Sequence, residues 1–123
     1  MRVSVFGLGY VGCVTAAWLA KAGHDVIGVD ANPEKVAMID AASPPVLEPG
    51  LGEVLADVVA AGRLRGSLSI EKLVAHAEVL VVANTSHEAE RALAVAGPQH
   101  VVIDLTRGAI RRRSPASPEG SGP

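Results

Sequence analysis

The chain has few of the residue types that small secreted proteins and nucleic-acid-binding proteins depend on. Among its 123 residues Cys13 is the only cysteine, which excludes an internal disulfide and a metal site built from clustered cysteines. There are three aromatic residues and a net charge of −2, so there is no electrostatic basis for binding nucleic acid or an anionic membrane. No apolar run reaches membrane-spanning length, and the N-terminal residues lack a signal-peptide pattern. We therefore expect a soluble, cytoplasmic protein.

The hydrophobic residues that are present are mostly aliphatic. They make up 49% of the chain, and valine, alanine, leucine and isoleucine must do almost all of the packing. Such a composition suits buried parallel strands covered by alanine-rich helices. The length is sufficient for one domain with a hydrophobic core of its own.

Short β-rich segments alternate with helical segments along most of the chain. Strands are predicted at residues 2–6, 25–29, 65–70, 78–83 and 100–105. Helices are predicted at residues 10–22, 33–41, 51–61, 71–75 and 86–96. This alternation predicts an α/β fold, a single domain with a Rossmann-like doubly wound parallel sheet in the strand order 3-2-1-4-5.

The C-terminal end differs in composition from the rest. Residues 1–108 are predicted to form the domain and residues 109–123 a disordered tail, because three arginines and then serine, proline, glycine and glutamate leave nothing to bury. The three arginines are interpreted as solvated residues at the end of the chain. The alternative is that they form a basic binding patch. The four histidines stand in loops or at element ends. We expect them to be solvated and to form no metal site.

Gly7-Leu8-Gly9-Tyr10-Val11-Gly12 fits the pattern G-x-G-x-x-G between a predicted strand and a predicted helix. In that context Gly7 allows a sharp turn, Gly9 lets backbone approach a pyrophosphate, and Gly12 lets the helix lie close to the sheet. The free N–H groups at the helix start then bind the phosphates. A glycine-rich turn without a ligand is the alternative.

Asp30, at the end of the second predicted strand, is placed to accept hydrogen bonds from the adenosine ribose hydroxyls. A carboxylate there repels a 2′-phosphate, and Ala31 and Asn32 offer no arginine to neutralise one. The cofactor is therefore predicted to be NAD rather than NADP. Lys35 is either a second contact on the adenosine side or a solvated lysine.

Several segments together carry a more specific resemblance. They are MRVSVFGLGYVG, AGHDVIGVD, NPEKV, SPPVLEPGL and GRL, within residues 1–64. This part of the chain resembles the start of the UDP-glucose/GDP-mannose 6-dehydrogenases. The resemblance implies an oxidoreductase of polysaccharide biosynthesis that converts the C6 alcohol of a sugar nucleotide to a carboxylate in two NAD-dependent steps.

The resemblance also implies roles for individual residues. Gly7, Gly9 and Gly12, with the backbone amides of Tyr10 and Val11, would hold the pyrophosphate. Asp30 and Lys35 would hold the adenosine end. Glu48 would lie in a loop that faces the cofactor, unless the Glu48–Leu51 segment is purely structural. Thr85 would correspond to the threonine of the family's Val-Gly-Thr-Pro segment, which here is Ala83-Asn84-Thr85-Ser86; a helix start is its alternative explanation.

Other features depart from the family. Its members are several times longer, and the segment that carries their nucleophilic cysteine is absent from these residues. Cys13 is predicted to be a packing residue, so no catalytic residue is assigned. The second half, EVLVVANTSHEAERAL followed by HVVIDLTR, is also similar to the close of the family's C-terminal domain. Two registers therefore remain open for residues 75–108.

Two functions of different classes fit these observations. One is the NAD-binding domain of a sugar-nucleotide 6-dehydrogenase that lacks its own catalytic machinery, with a separate chain as a possible source of the catalytic half. The other is a regulatory NAD(H)-sensing module without catalysis, which needs only the glycine fingerprint and Asp30. The Glu48–Leu51 segment favours the first.

Overall fold

The computed structural model describes residues 1–112, which form one six-stranded sheet with five helices packed on it. The strands are Arg2–Phe6 (β1), Asp25–Val29 (β2), Leu64–Ser67 (β3), Val79–Val82 (β4), Val101–Asp104 (β5) and Ala109–Arg111 (β6). The helices are Tyr10–Lys21 (α1), Pro33–Asp40 (α2), Leu51–Ala60 (α3), Ile70–His76 (α4) and His87–Val95 (α5). The predicted α/β class is confirmed.

The strand order is β3-β2-β1-β4-β5-β6, and β1 to β5 are parallel. The predicted order 3-2-1-4-5 is therefore confirmed. β1 pairs with β2 on one side and with β4 on the other. The direction of chain progression reverses beside β1, and in open α/β sheets the crevice at the carboxyl ends of such strands is where ligands bind.

The two faces of the sheet carry separate hydrophobic clusters. One cluster joins β1, β2 and β3 to α1, α2 and α3, and its helix residues include Ala16, Ala17 and Ala20. The other joins β1, β2, β4 and β5 to α4 and α5. Alanines allow α1 to approach the sheet closely, as the aliphatic composition predicts.

β6 was not predicted, and the prediction that residues 109–111 belong to a disordered tail is wrong. Asp104 accepts hydrogen bonds from the Thr106 backbone N–H (2.9 Å) and from Arg107 Nη1 (3.1 Å), and Gly108 reverses the chain with a φ of +64°. Burial favours the neutral acid at Asp104, but hydrogen bonds from the Thr106 hydroxyl (2.6 Å) and from the backbone N–H groups of Thr106 and Arg107, together with the Arg107 charge, hold its pKa below its usual value. The turn returns residues 109–111 antiparallel to β5. The remainder of the predicted tail, from residue 113, lies outside the described residues.

Helix termini differ in how their backbone groups are satisfied. The side chains of Asn32, Ser69 and Ser86 cap α2, α4 and α5, and each of these helices has a glutamate in its first turn. α1 has neither a side-chain cap nor a first-turn acid. Within residues 1–112, no helix combines the length and the apolar character needed to cross a membrane.

His100 is buried and the side chain of His76 is largely covered, so the expectation that all four histidines are solvated is wrong. The His76 side chain is 8% exposed, and its Nε2 lies 3.0 Å from the carbonyl oxygen of Asp25. His100 is 2% exposed; its Nδ1 accepts from Gly97 N–H at 2.9 Å, and its Nε2 donates to the carbonyl of Val74 at 2.9 Å. His100 therefore joins α4 to the turn before β5.

Replacing His100 with leucine is expected to lower the free energy of unfolding by about 2 kcal/mol or more. The substitution leaves the Gly97 N–H and the Val74 carbonyl, which are partly buried, without their His100 partner, and a buried polar group that loses its partner costs about 1–3 kcal/mol. Urea unfolding followed by circular dichroism measures the loss. His87, exposed in the first turn of α5, supplies the control: His87→Leu should shift stability by no more than about 0.5 kcal/mol. Equal stabilities of the two variants would contradict the role of His100.

Candidate functional site

The turn from β1 into α1 requires glycine at two positions for reasons internal to the protein. Gly7 has a φ of +100°, which L side chains rarely adopt, and its N–H donates to the carbonyl of Val29 at 2.8 Å. A Cβ at Gly12 would overlap the carbonyl oxygen of Gly7 and contact the Ala83 side chain. These two glycines bring the start of α1 against the carboxyl end of the sheet.

Gly9 is different, because nothing in the protein requires it to lack a side chain. Its φ is −76° and its ψ −164°, an extended conformation open to any residue. A Cβ at Gly9 would meet no atom within 4 Å. The bare backbone at Gly9 therefore faces open space at the start of α1, the position where the fingerprint predicts a pyrophosphate.

The first turn of α1 presents unsatisfied donors to this space. The first helical hydrogen bond runs from Cys13 N–H to the carbonyl of Gly9 at 2.9 Å, so the N–H groups of Tyr10, Val11 and Gly12 have no helical acceptor. The first turn of α1 itself contains no acidic residue, and no side chain within residues 1–112 caps it, so the positive end of the helix dipole is available to a ligand. Backbone donors and dipole together favour a bound anion such as a phosphate.

Asp30 joins the two loops that border the site. It is 8% exposed; its Oδ2 accepts from Leu8 N–H at 2.7 Å, and its Oδ1 accepts from Asn32 N–H at 2.9 Å. Each oxygen keeps a lone pair for a further donor, such as a ribose hydroxyl. The sequence had indicated only a ligand contact for this residue and not its bond to the fingerprint loop.

A cleft of about 350 Å³ lies beside Asp30 at the carboxyl ends of β1 and β2. Its wall is partly apolar and partly charged, and its volume is within the range of ligand sites. The lining residues are Phe6, Ala31, Pro33, Leu68, Ile70, Glu71, Glu88 and Arg91.

Lys35 and Thr85, the other two predicted site residues, lie on opposite sides of β1. Lys35 is partly exposed in the first turn of α2 and makes no salt bridge within residues 1–112. Thr85 is exposed just after β4. Ser86, not Thr85, caps α5 by accepting from Ala89 N–H at 3.1 Å. Thr85 is therefore not needed to start the helix.

Asn84 lies against the fingerprint turn, a position that was not predicted for it. It follows β4, and a Cβ at Gly7 would lie 2.8 Å from its Nδ2 atom. Its Oδ1 accepts from the Ser86 hydroxyl at 2.8 Å and from Ser86 N–H at 3.2 Å. Asparagine followed two residues later by serine is a signal for this type of turn.

Tyr10 reaches from α1 to the proline-rich loop that follows α2. Its hydroxyl donates a hydrogen bond to Glu48 Oε1, although Tyr10 as a residue is 52% exposed. The hydrogen bond to Glu48, followed by the negative charge of Glu48, raises the pKa of Tyr10 above its usual value. The predicted position of Glu48 near the fingerprint thus has a physical basis in one hydrogen bond.

Cys13 is fully buried on the sheet-facing side of α1. Burial raises the pKa of its thiol to about 11. A reactive cysteine needs the thiolate and access to its substrate, and Cys13 has neither at neutral pH. It packs the interface between α1 and the sheet.

Comparison with known sequences gives a consistent result. Residues 1–106 match the profile described as UDP-glucose/GDP-mannose dehydrogenase family, NAD binding domain. The chain is 49% identical over 79 residues to GDP-mannose 6-dehydrogenase of Azotobacter vinelandii, covering 64% of this chain and 18% of that protein. It is 42% identical over 83 residues to UDP-glucose 6-dehydrogenase of Pseudomonas aeruginosa, covering 68% and 18%.

Solved structures agree with the sequences. A ternary complex of GDP-mannose dehydrogenase from Pseudomonas aeruginosa superposes with a TM-score of 0.74 at 32% identity, over 85% of this chain and 28% of that one. UDP-D-ManNAc dehydrogenase from Pyrococcus horikoshii gives a TM-score of 0.76 at 29% identity, with the same coverage.

The chain spans less than a fifth of the length of these two curated relatives. The profile match continues through β5, which favours the alignment of the second half with the N-terminal domain of the family. The similarity thus extends over β1 to β5 and includes every residue predicted to contact the cofactor.

The Tyr10–Glu48 hydrogen bond is expected to be visible in a phenol titration. Tyr10 is the only tyrosine, so absorbance near 295 nm reports on this residue alone. Its pKa should lie above the usual value of about 10 and fall in Glu48→Gln, because the amide removes the negative charge that disfavours phenolate. Glu53→Gln, on the first turn of α3, is the control. An unchanged midpoint in Glu48→Gln would refute the contact.

Proposed function

Because this chain belongs to the UDP-glucose/GDP-mannose dehydrogenase family and forms its NAD-binding domain, we propose that NAD lies across the carboxyl ends of β1, β2 and β4. The observation that carries this placement is the open space at Gly9 beside an uncapped helix. The residues present fit the cofactor. No contact within the protein requires glycine at position 9, and a ligand that occupies the space beside it would explain why no side chain is there.

Each part of the cofactor has a counterpart in the site. Gly7, Gly9 and Gly12 shape the pyrophosphate cradle, and the N–H groups of Tyr10 and Val11 donate to it. On the β2 side, Asp30 accepts from the adenosine ribose, Lys35 lies near the same end, and the cleft beside Asp30 takes the adenine ring. On the β4 side, Thr85 contacts the nicotinamide half.

We further propose that the domain serves oxidation of a sugar nucleotide at C6 in the cytoplasm, as a step of polysaccharide biosynthesis. Bound NAD would accept hydride from the alcohol. The site consists of cofactor contacts, and Cys13 is buried and does not reach it, so residues beyond this site would bind the sugar, hold the aldehyde and activate water. Orienting substrate beside the nicotinamide is worth about 7–11 kcal/mol in favourable cases. The proposal assigns this catalytic half to residues outside the NAD-binding domain, and a separate chain is one source of them.

Gly9→Val is expected to remove NAD binding and to leave the fold in place. A Cβ at position 9 meets no protein atom within 4 Å, and the valine side chain would extend into the proposed pyrophosphate position. Affinity should fall by at least about tenfold, equivalent to 1.4 kcal/mol. Calorimetric titration with NAD measures the loss, and circular dichroism with thermal unfolding verifies the fold.

Gly12→Ala is the matched variant, and here the expected effect is on the stability of the fold. Its added Cβ overlaps the Gly7 carbonyl, so unfolding free energy should fall by about 3 kcal/mol or more. A folded Gly9→Val protein that binds NAD as the unaltered chain does would place the pyrophosphate elsewhere.

The site is expected to bind NAD more tightly than NADP by at least about tenfold, because the Asp30 carboxylate repels a 2′-phosphate. Asp30→Asn removes the charge at nearly constant shape and should narrow the gap between the two cofactors. Since Asp30 also orders the loops through Leu8 and Asn32, thermal unfolding of the variant is measured alongside. Equal affinities of the unaltered chain for NAD and NADP would overturn this role.

A further inference from the structure

We infer that Asn84 is a further cofactor-binding residue, whose amide Nδ2 donates a hydrogen bond to the pyrophosphate–nicotinamide ribose half of bound NAD. This inference rests on the proposed function, because it assigns a new contact within the same site. It does not follow from the family resemblance, since the corresponding family segment is Val-Gly-Thr-Pro and has glycine at this position.

The first step is the location of Asn84. It stands two residues after the end of β4, and its amide group lies over Gly7, so close that a Cβ at Gly7 would come within 2.8 Å of Nδ2. Gly7 begins the fingerprint turn at the end of β1. Asn84 therefore borders the crevice between β1 and β4, where the chain reverses its direction of progression through the sheet.

The second step is the orientation of the amide. Its Oδ1 accepts two hydrogen bonds from Ser86, one from the hydroxyl and one from the backbone N–H. An N–H can only donate, so the oxygen must be the atom that faces Ser86. Nδ2, with two protons, forms no hydrogen bond to a residue within 1–112 and is the atom left toward the crevice.

The third step is that Asn84 and Ser86 act as a unit. A proline at position 86, as in the family segment, has no N–H and no hydroxyl, and it could hold neither bond to Oδ1. Ser86 also caps α5 through Ala89 N–H, which fixes its own side chain. The pair therefore presents a donor whose direction is set before any ligand arrives.

The fourth step is the part of the cofactor that this donor meets. Asp30 lies at the end of β2, on one side of β1, and the proposed function gives it the adenosine ribose. Asn84 lies at the end of β4, on the other side of β1. A dinucleotide that crosses β1 with its pyrophosphate at Gly9 brings its second half to Asn84. Ligands that contain the adenosine half alone do not reach it.

The test measures NAD and AMP affinities of the unaltered chain, Asn84→Ala and Asn84→Asp by calorimetry. Asn84→Ala should weaken NAD binding about threefold to tenfold, the usual range for one neutral hydrogen bond, and leave AMP binding unchanged. Asn84→Asp keeps the oxygen that Ser86 needs but has no proton to donate and adds negative charge. It should weaken NAD binding at least as much.

Three results would overturn the inference. The first is an Asn84→Ala variant that binds NAD like the unaltered chain, and the second is a parallel loss of AMP binding. The third is an Asn84→Asp variant with full NAD affinity, because then Asn84 would only support the loop through Ser86. Failure of the unaltered chain to bind NAD would instead overturn the proposed function together with the inference, so the two failures are distinguishable.

Discussion

The approach of the Gly7 carbonyl to Gly12 is the constraint on which the rest of the site depends. No side chain fits between them, so the start of α1 lies directly against the turn that leaves β1. This contact aims the first N–H groups of the helix at the carboxyl edge of the sheet. It also brings Leu8 within reach of Asp30, and the end of β4 against the fingerprint turn. A side chain at Gly12 would push α1 away from the turn, and one at Gly7 would push the turn away from Asn84.

Much of the architecture could be predicted from local sequence. The alternation of β-rich and helical segments and the G-x-G-x-x-G context sufficed for the parallel order from β3 to β5. Long-range contacts were harder to foresee. His100 was expected in solvent because it stands at a strand start, yet its ring joins α4 to a turn. β6 was missed because its strand character depends on a turn held by Asp104 and not on its own composition.

The site shows the same division. The conformational need at Gly7 and the position of Asp30 after a strand were legible in the sequence. Three features were not: the bond from Leu8 to Asp30, the bond from Tyr10 to Glu48, and the amide of Asn84 over Gly7. Each joins residues that are far apart in the chain, and only the packed sheet determines which of them meet. Gly9 and Gly12 also differ in why they lack a side chain. Gly9 faces open space outside the protein, whereas Gly12 contacts the Gly7 carbonyl inside it.

The bridging of Leu8 and Asn32 by Asp30 has a consequence for how a ligand is received. Both loops that border the groove are held by short hydrogen bonds to one buried carboxylate, so their conformational entropy is lost when the chain folds and not when a ligand enters. A binding site with pre-ordered loops binds its ligand without a change in loop conformation. The association rate constant is then governed by diffusion and by the orientation of the ligand. Affinity differences between related ligands arise mainly from their dissociation rate constants.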